Sequence, residues 1–268
     1  MKLNEIKIVQ NSLIEFSRGN FFTKIAKLRD GTALFNEQLP RDLFLNYVTN
    51  INSKDIKKFI LKIEKLYVSK GSMPSFYILP NTVPKNAGKI LVKIGYVKFS
   101  SDAWMSFDLN KNVNSLNNDL EIRQSKKEEL EIVKHIFNEV FSKGEKDDVY
   151  KNLPRLYGEI LIKQISGKQK YYKSEMYVAI KNNKIIGICN LLYDRGTAVL
   201  ESLAVLPKYR KLGAAKSLLY ICVKRSQELK LRRIFLITEK GSRNEKIFMK
   251  CGFKTVAVAK QLYKDFKA

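Results

Sequence analysis

The segment Glu201-Ser-Leu-Ala-Val-Leu-Pro-Lys-Tyr-Arg-Lys-Leu-Gly-Ala-Ala-Lys216 predicts a strand, a turn and the start of a helix, and the rest of the chain is organised around it. Residues 199–205 are apolar and partly β-branched, which is typical of a buried strand. Pro207 ends that strand. Large apolar residues then recur at helical spacing between Leu212 and Leu229.

The loop between this strand and helix combines small residues with positive charge. The first N–H groups of a helix have no partner within the helix, and the helix dipole makes that end electropositive. Small side chains leave those N–H groups open to an anion, so we predict a phosphate-binding site. The small residues are Gly213, Ala214 and Ala215, and the basic residues are Arg210, Lys211 and Lys216. The alternative is an ordinary turn with solvated lysines, since neither a Walker loop nor a dinucleotide fingerprint is present.

Composition favours a globular protein with a strongly basic surface. The chain has 268 residues, 45% of them hydrophobic, and a net charge of +24. Of the 50 basic residues only 11 are arginine, whereas sequence-specific nucleic-acid surfaces favour arginine. The charge therefore predicts attraction of anions in general, with nucleic acid as a lesser alternative.

The cysteines and the single histidine give no sign of metal chemistry. Cys189, Cys222 and Cys251 are far apart in apolar contexts, so we expect small core residues in a reducing cytoplasm. His135 falls off the apolar stripe of its predicted helix, so we expect it on the surface. No apolar run reaches the ~18 residues of a membrane span, and no signal peptide is evident.

The sequence also contains a weak internal repeat at a distance of 157 residues. Residues 89–96, Lys-Ile-Leu-Val-Lys-Ile-Gly-Tyr, fall on residues 246–253, Lys-Ile-Phe-Met-Lys-Cys-Gly-Phe, and predicted strands and helices coincide in the same register. We therefore predict two copies of one unit, 1–113 and 117–268, joined by the polar stretch 110–118.

The first copy lacks the features of the anion loop. Opposite Arg210 to Ala215 it has Ser53-Lys-Asp-Ile-Lys-Lys58, in which Ile56 replaces Gly213. Asp55 places a carboxylate where a phosphate would lie, and like charges repel there. We expect Ser53 to cap the helix that follows, and one active site per chain, in the second copy.

Further elements are predicted from periodicity and turn residues. They are a helix within 1–20, strands at 21–34 and 41–48, a helical region at about 147–165, a hairpin turning at Asn182-Asn183, and a terminal hairpin at 253–266.

The second copy resembles the GNAT N-acetyltransferases. Their R/Q-x-x-G-x-G/A loop is present as Arg210-x-x-Gly213-x-Ala215, after Leu203-Ala-Val-Leu-Pro207, and their Gly-Phe ending is present in Phe248-Met-Lys-Cys-Gly-Phe253. The whole chain is similar to tandem GNAT proteins with a degenerate N-terminal copy. The resemblance implies an α/β fold (an α+β mixed sheet) in each unit, flanked by helices, with the fourth strand splayed from the fifth.

The resemblance also implies acetyl-CoA as cosubstrate, with its pyrophosphate on the loop, and no metal. The residues that the resemblance assigns to acetyl-CoA are Leu203, Ala204, Val205, Arg210, Lys211, Leu212, Gly213, Ala214, Ala215 and Lys216.

By the same resemblance, the backbone N–H of Val205 is the oxyanion donor that acyl transfer requires. Glu201 is the predicted base, acting directly or through water, because an ammonium must lose a proton before it attacks. On a flat strand, residues 201, 203 and 205 share one face. The alternative for Glu201 is a solvated or salt-bridged glutamate.

The chain departs from the family at the general acid. Phe248 stands where the family often has a tyrosine, and Gly241 where it often has an asparagine. The CoA thiolate then leaves unassisted, near its pKa of ~8.5, or another group serves as the acid. The candidates are Tyr209, Tyr220 and Ser242.

The function predicted first is acetylation of a primary amine of a small molecule or peptide, by direct attack in a ternary complex. The alternatives are a non-catalytic acyl-CoA-binding or sensing protein, and a basic RNA- or ribosome-associated protein. We expect a cytoplasmic monomer or homodimer that binds no membrane.

Overall fold

The computed structural model forms two compact units. It describes residues 3–113, 119–142, 150–167 and 170–266. The first unit is Met1–Ala103 together with Val256–Ala268, and the second is Trp104–Thr255.

The first unit is a mixed sheet with three helices. Its elements are α1 (Leu3–Phe16), β1 (Lys24–Leu28), β2 (Gly31–Phe35), β3 (Tyr47–Thr49), α2 (Ile56–Val68), β4 (Ser75–Ile78), α3 (Ala87–Lys93), most of β5 (Val97–Phe107), and the strand from the far end of the sequence, which is numbered β11 (Lys254–Tyr263). Its strands are ordered β1-β2-β3-β4-β11-β5. β3 and β4 are parallel, whereas β1–β2, β2–β3 and β4–β11 are antiparallel.

The helix α2 forms because its apolar residues recur at helical spacing. Ile56, Phe59, Ile60 and Ile63 are buried in one hydrophobic cluster against the sheet. The helix begins at Asp55, whose carboxylate accepts a hydrogen bond from the Lys58 N–H at 3.1 Å. The expectation that Ser53 is the N-cap is therefore wrong, because Asp55 accepts the hydrogen bond that an N-cap side chain makes with a backbone N–H of the first turn.

The strand predicted at 41–48 is mostly a turn. Only its end enters β3, because side chains bind the preceding backbone. Asn46 Nδ2 donates to the carbonyls of Leu39 and Asp42 at 2.7 and 2.8 Å, and Asp42 Oδ1 accepts from the Phe44 N–H at 2.9 Å. These local hydrogen bonds replace the ladder that a strand would make.

The terminal hairpin predicted at 253–266 is wrong as well. This segment is the single strand β11, which pairs antiparallel with β4, Lys260 opposite Ile78 and Tyr263 opposite Ser75. The buried Gln261 side chain donates to the Leu43 carbonyl at 2.5 Å and to Ser75 Oγ at 2.9 Å. The strand therefore finds its partner in residues far away in sequence, which a local pattern cannot indicate.

The second unit is also a mixed sheet with flanking helices. Its elements are β6 (Glu121–Gln124), α4 (Leu130–Ser142), α5 (Leu156–Ser166), β7 (Lys173–Lys181), β8 (Lys184–Tyr193), β9 (Thr197–Val205), α6 (Ala214–Glu228), β10 (Arg233–Glu239) and α7 (Arg243–Lys250). Its strands are ordered β10-β9-β8-β7-β6. β9 and β10 are parallel and the other pairs are antiparallel.

The predicted turn and helix in this unit have different outcomes. Asn182 and Asn183 join β7 to β8 with φ of 50° and 59°, as the pair predicts. The helix predicted at about 147–165 begins only at Leu156, two residues after Pro154. The start of that prediction, up to residue 149, lies outside the described residues.

The face of β7 and β8 that packs on α6 holds a buried ionic cluster. The Glu175 carboxylate accepts from Arg225 Nε and Nη2 at 3.0 Å each, and from the Tyr177 and Tyr193 hydroxyls at 2.7 Å. Burial alone would raise the pKa of Glu175, but these donors bring it below its ordinary value. The cluster joins β7, β8 and α6.

The expected positions of the cysteines and the histidine are confirmed. Cys189 and Cys222 are fully buried with their sulfur atoms 4.0 Å apart, and Cys251 is buried as well. His135 is exposed on α4. Among the described residues, no helix is both long and apolar enough to cross a membrane.

Elements of the chain recur at the 157-residue distance. α2 corresponds to α6, β4 to β10, α3 to α7 and β5 to β11. Gly95 and Gly252, one distance apart, follow their helices with φ of 93° and 92°. The predicted copy boundaries at 113 and 117 stay a prediction from the repeat. The boundaries of the compact units follow the packing of the chain instead. Residues 104–113 belong to the second unit and residues 256–268 to the first.

Candidate functional site

The strands β9 and β10 separate part-way along their length. Their parallel pairing runs from Thr197 opposite Arg233 to Leu200 opposite Leu236. β9 continues to Val205 and β10 to Glu239, and beyond Leu200 and Leu236 these two strands are no longer paired with each other. The predicted splay between the fourth and fifth strands is therefore confirmed, and it begins next to Glu201.

A β-bulge lies at the start of the splayed part. On β8 one residue separates Ile188 from Asn190, whereas two residues separate their partners Ala204 and Glu201 on β9. Ser202 lies in the bulge with φ of 57°, in the left-handed region. The extra residue bends the strand and interrupts its alternation.

The expectation that residues 201, 203 and 205 share one face is therefore wrong. Ile188 and Asn190 are two residues apart and share a face of β8, so their partners Ala204 and Glu201 share a face of β9. The Val205 side chain points to the opposite face, together with the position of Gly187. The bulge is the physical reason, because it shifts the period by one residue.

The two faces contact different helices. A Cβ on Gly187 would lie 3.4 Å from the Leu218 side chain of α6, so this face packs on α6. Asn190, on the other face, donates from Nδ2 to Gln164 Oε1 of α5 at 3.3 Å. Glu201 therefore points to the side of α5.

The backbone of Val205 is directed into the splay. The Leu206 N–H donates to the Ile186 carbonyl of β8 at 2.9 Å. Because successive residues of a strand direct their N–H groups to opposite sides, the N–H of Val205 points away from β8, toward the side of β10. The Val205 carbonyl on that side accepts from Arg210 Nε at 3.3 Å.

Glu201 is partly buried. Burial raises the pKa of Glu201 to about 7, against the opposing effect of a hydrogen bond from the Gln164 side chain. Among the described residues, no ion pair involves Glu201 and no charged group perturbs it. Within the part of the chain that the structure describes, Glu201 therefore does not form the salt bridge that was the alternative to a base.

The predicted anion loop lies directly after the splayed end of β9. Residues 207–209 form one turn of 3-10 helix, Lys211 and Gly213 follow with φ of 66° and 81°, and α6 begins at Ala214. Gly213 is the N-cap and has no side chain that could satisfy the first N–H groups. Lys211, Gly213 and Lys216 are exposed.

This loop has the properties that a pyrophosphate requires. Its N-terminal N–H groups are not covered by a capping side chain, its residues are small, and basic side chains flank it. Left-handed backbone at Lys211 and Gly213 turns the chain tightly into the helix. The residues present therefore fit the diphosphate of a CoA ester.

The corresponding helix start in the first unit is closed to an anion. Asp55 caps α2 with its own carboxylate. A groove of about 880 Å³ runs beside this helix start, lined by exposed basic side chains that include Lys54, Lys58 and Lys62. Because it lies on the unit whose helix start is already capped, the groove is not the counterpart of the predicted cofactor site.

The helix α7 has no hydroxyl at the position of the expected acid. Phe248 is partly buried and meets Phe253 edge to face, with ring centroids 6.5 Å apart. Ser242, one acid candidate, caps this helix by accepting from the Glu245 N–H at 3.1 Å. Tyr209 and Tyr220, the other candidates, lie under the ammonium groups of Lys208 and Lys216 at 5.1 and 5.2 Å. All three thus have structural contacts that need no acid role.

Comparison with protein families identifies the second unit. Residues 131–253 match the family model described as the acetyltransferase (GNAT) family. The second unit therefore belongs to the GNAT family. The matched range contains the splay, the bulge and the anion loop, so the GNAT unit carries every predicted site residue of the chain. Membership indicates acyl transfer in general terms.

Solved structures with this fold extend over nearly the whole chain. A GCN5-related N-acetyltransferase from Kribbella flavida is 13% identical, with a TM-score of 0.71 over 96% of this chain and 94% of that one. An acetyltransferase from the GNAT family of Colwellia psychrerythraea is 12% identical, with a TM-score of 0.59 over 99% and 98%. A tandem GNAT protein from the clavulanic acid biosynthesis pathway is 10% identical, with a TM-score of 0.63 over 88% and 78%. These likenesses confirm the predicted fold class.

Two residues of the site were not predicted from the sequence, Gln164 and Asn190. Both are fully buried. The available signal was a polar residue on an apolar stripe, because Tyr157, Ile160 and Leu161 are buried on the same face of α5 as Gln164.

Proposed function

We propose that this protein is an acetyl-CoA-dependent N-acetyltransferase whose single active site lies in the GNAT unit. The observation that carries the proposal is the adjacency of three features. An uncapped, small-residue helix start, a splayed strand end and a carboxyl with a raised pKa follow one another between Glu201 and Ala215.

Acetyl-CoA is the cosubstrate that this arrangement fits best. The diphosphate would lie on the N–H groups of Gly213, Ala214 and Ala215, with Lys211 and Lys216 beside it. The pantetheine arm would pair with the backbone of β9 at Leu203 and Val205, where β9 is no longer paired with β10, and the remaining predicted contacts are Ala204, Arg210 and Leu212. These assignments come from the family resemblance and are compatible with the geometry.

The chemistry that we propose is direct attack of the amine on the thioester carbonyl. An amine arrives largely protonated, so Glu201 accepts a proton, directly or through water. A pKa of about 7 suits a base that works near neutral pH. The amine nitrogen then forms a bond to the carbonyl carbon, and the N–H of Val205 stabilises the oxyanion.

Collapse of the tetrahedral intermediate breaks the carbon–sulfur bond, the nitrogen releases its surplus proton to water, and the products are the amide and CoA. The chain supplies no tyrosine at the position of Phe248, so the thiolate leaves as an anion and takes its proton from solvent. This is feasible because a thiol of pKa ~8.5 is a good leaving group. We propose a primary amine of a small molecule or a peptide as acceptor.

The test compares two substitutions at one residue. Gly213→Asp places a carboxylate at the helix start, as Asp55 does in the first unit, and Gly213→Asn has the same shape without the charge. We expect acetyl-CoA affinity to fall about 100-fold more in the aspartate variant than in the asparagine variant, because the charge repels the diphosphate. Isothermal titration calorimetry measures both affinities.

The outcomes separate the competing functions. Equal affinities of the two variants would contradict the site assignment. CoA release is measured with a panel of small amines, polyamines, aminoglycosides and peptides. Binding of acetyl-CoA without turnover on any amine would favour an acyl-CoA-binding or sensing protein. Salt-sensitive RNA binding that is indifferent to Gly213→Asp would favour an RNA-associated protein.

A further inference from the structure

A chain of hydrogen-bonded polar side chains, buried at Asn190 and Gln164 and half-buried at Ser174, ends at Glu201. Ser174 Oγ of β7 donates to Asn190 Oδ1 of β8 at 2.9 Å, and Asn190 Nδ2 donates to Gln164 Oε1 of α5 at 3.3 Å. The Gln164 side chain in turn hydrogen bonds to the Glu201 carboxyl of β9. Four elements of the GNAT unit thus contribute to one continuous network.

The donors of this network all point the same way. Each amide accepts from the residue before it, which leaves its N–H group to donate to the residue after it. The hydrogen bond from Gln164 favours the carboxylate form of Glu201, which can only accept, so the amide nitrogen of Gln164 is the donor to Glu201. The network therefore ends on an acceptor, and hydrogen bonds arranged in series strengthen one another.

The position of Gln164 is unusual for a residue with only a structural role. It lies on the apolar stripe of α5 with Tyr157, Ile160 and Leu161, and none of its side chain is exposed. A buried amide costs free energy unless it is hydrogen-bonded, and an apolar side chain of similar size would fill the same volume without that cost. The network instead directs a donor at the residue that the proposed function needs as a base.

We propose that Gln164, held by Asn190 and Ser174, is a positioning residue that orients the Glu201 side chain toward the amine and stabilises its carboxylate form. This inference rests on the proposed function only for the role of Glu201. The orientation of Glu201 by Gln164 is a property of the unit without substrate.

Other titratable groups on the helices of this side are Lys134 of α4, which pairs with Glu131 and with Glu159 of α5, the half-buried Glu139 of α4 and the buried Tyr157 of α5, and none of them is changed in the variants below. The register and the hydrogen bonds place the polar side chains of Asn190 of β8 and Gln164 of α5 beside Glu201. The ionic cluster of Glu175 and its partners lies on the opposite face, toward α6. On α4, His135 is exposed, and the buried residues of that helix are apolar. A change in the titration of Glu201 therefore reports on the network.

The decisive substitution is Gln164→Met, which keeps the length of the side chain and removes its donor. We expect the titration midpoint of Glu201 to rise by about 1 pH unit, because the carboxylate loses its hydrogen bond. The midpoint is measured directly by NMR of ¹³C-labelled glutamate carboxyls, with Glu201→Gln to assign the signal. In the pH profile of kcat/KM, the midpoint of the rise from acidic toward neutral pH should move upward by the same amount.

Ser174→Ala is the graded control at the far end of the network. It removes one donor without contacting Glu201, so we expect a shift in the same direction and about one third as large. Gln164→Glu is the second variant at the central position. Its added charge opposes ionisation of Glu201, so we expect a larger rise than with methionine.

A residue that only packs the core would change thermal stability without moving these midpoints. An unchanged Glu201 midpoint in both Gln164 variants, measured on folded protein, would overturn the inference. A shifted midpoint in a protein that acetylates none of the amines tested would leave the network established and contradict the proposed function instead.

Discussion

Replacing Glu201 by glutamine should stabilise the protein at alkaline pH while it removes activity. Burial raises the pKa of Glu201 from the ordinary 4.5 to about 7. Between these two values the folded protein retains a proton that the unfolded chain has lost, so the free energy of unfolding falls as pH rises through that window. Above pH 7 the loss is complete and amounts to at most about 3 kcal/mol.

Glutamine has nearly the same shape and does not titrate, so Glu201→Gln should recover that loss. The variant should unfold about 6–12 °C above the parent protein at pH 8, because 1 kcal/mol corresponds to about 2–4 °C in a chain of this size. At pH 4 the two proteins should unfold at the same temperature, since Glu201 is then neutral in both states.

Differential scanning calorimetry across pH 4–9 measures this difference. The matched control is Glu37→Gln, a substitution at an exposed glutamate, which should change the midpoint little at any pH. A Glu201→Gln variant with the same midpoint as the parent at pH 8, or with a gain that does not depend on pH, would refute the reasoning. Turnover by the variant should fall by about 10²–10⁴-fold, the usual contribution of a general base.

Two further predictions concern packing and charge. Gly252→Ala should lower the free energy of unfolding by about 3 kcal/mol, because φ is 92° and the new Cβ would lie 2.8 Å from Phe107 Cε2. The control Gly241→Ala should lower it by only about 1 kcal/mol, because φ is 84° there but the space is open. Equal losses of the two variants in urea unfolding would contradict this prediction. Glu175→Gln should destabilise by about 2 kcal/mol, because Arg225 loses its buried partner. The pKa of Glu175 lies below its ordinary value, so the stability that the ion pair contributes is present above pH 4.5 and is lost as pH falls through the lowered pKa. If Glu175→Gln unfolds like the parent protein in chemical denaturation at pH 7, the ion pair contributes nothing.

Much of the fold could be predicted because its signals are local. The hairpin of β7 and β8, its Asn182-Asn183 turn and the stripe of α2 each arise from contacts between residues close in sequence. The loop at Gly213 was predictable for the same reason, since a helix start needs only its own few residues to present its N–H groups.

What could not be predicted depends on distant partners. A flat strand was expected through Ser202, and the bulge there exists only in the register between β8 and β9. Gln164 and Asn190 meet Glu201 from separate elements, so no spacing in the sequence connects the three. The sequence therefore predicted Glu201 and the loop at Gly213 as site residues, but not the side chains that form hydrogen bonds around Glu201.

The position of β11 in the first unit has a consequence for synthesis. The sheet of the first unit contains β11, whose residues Leu262 and Gln261 pack and hydrogen bond within that unit. On the ribosome, residues 1–103 therefore emerge without one of their inner strands, and β4 keeps an unpaired edge until the whole second unit has been translated. Contacts of such long sequence separation form late, so completion of the first unit should mark the end of folding, and a fragment cut between the repeats leaves the first half without β11.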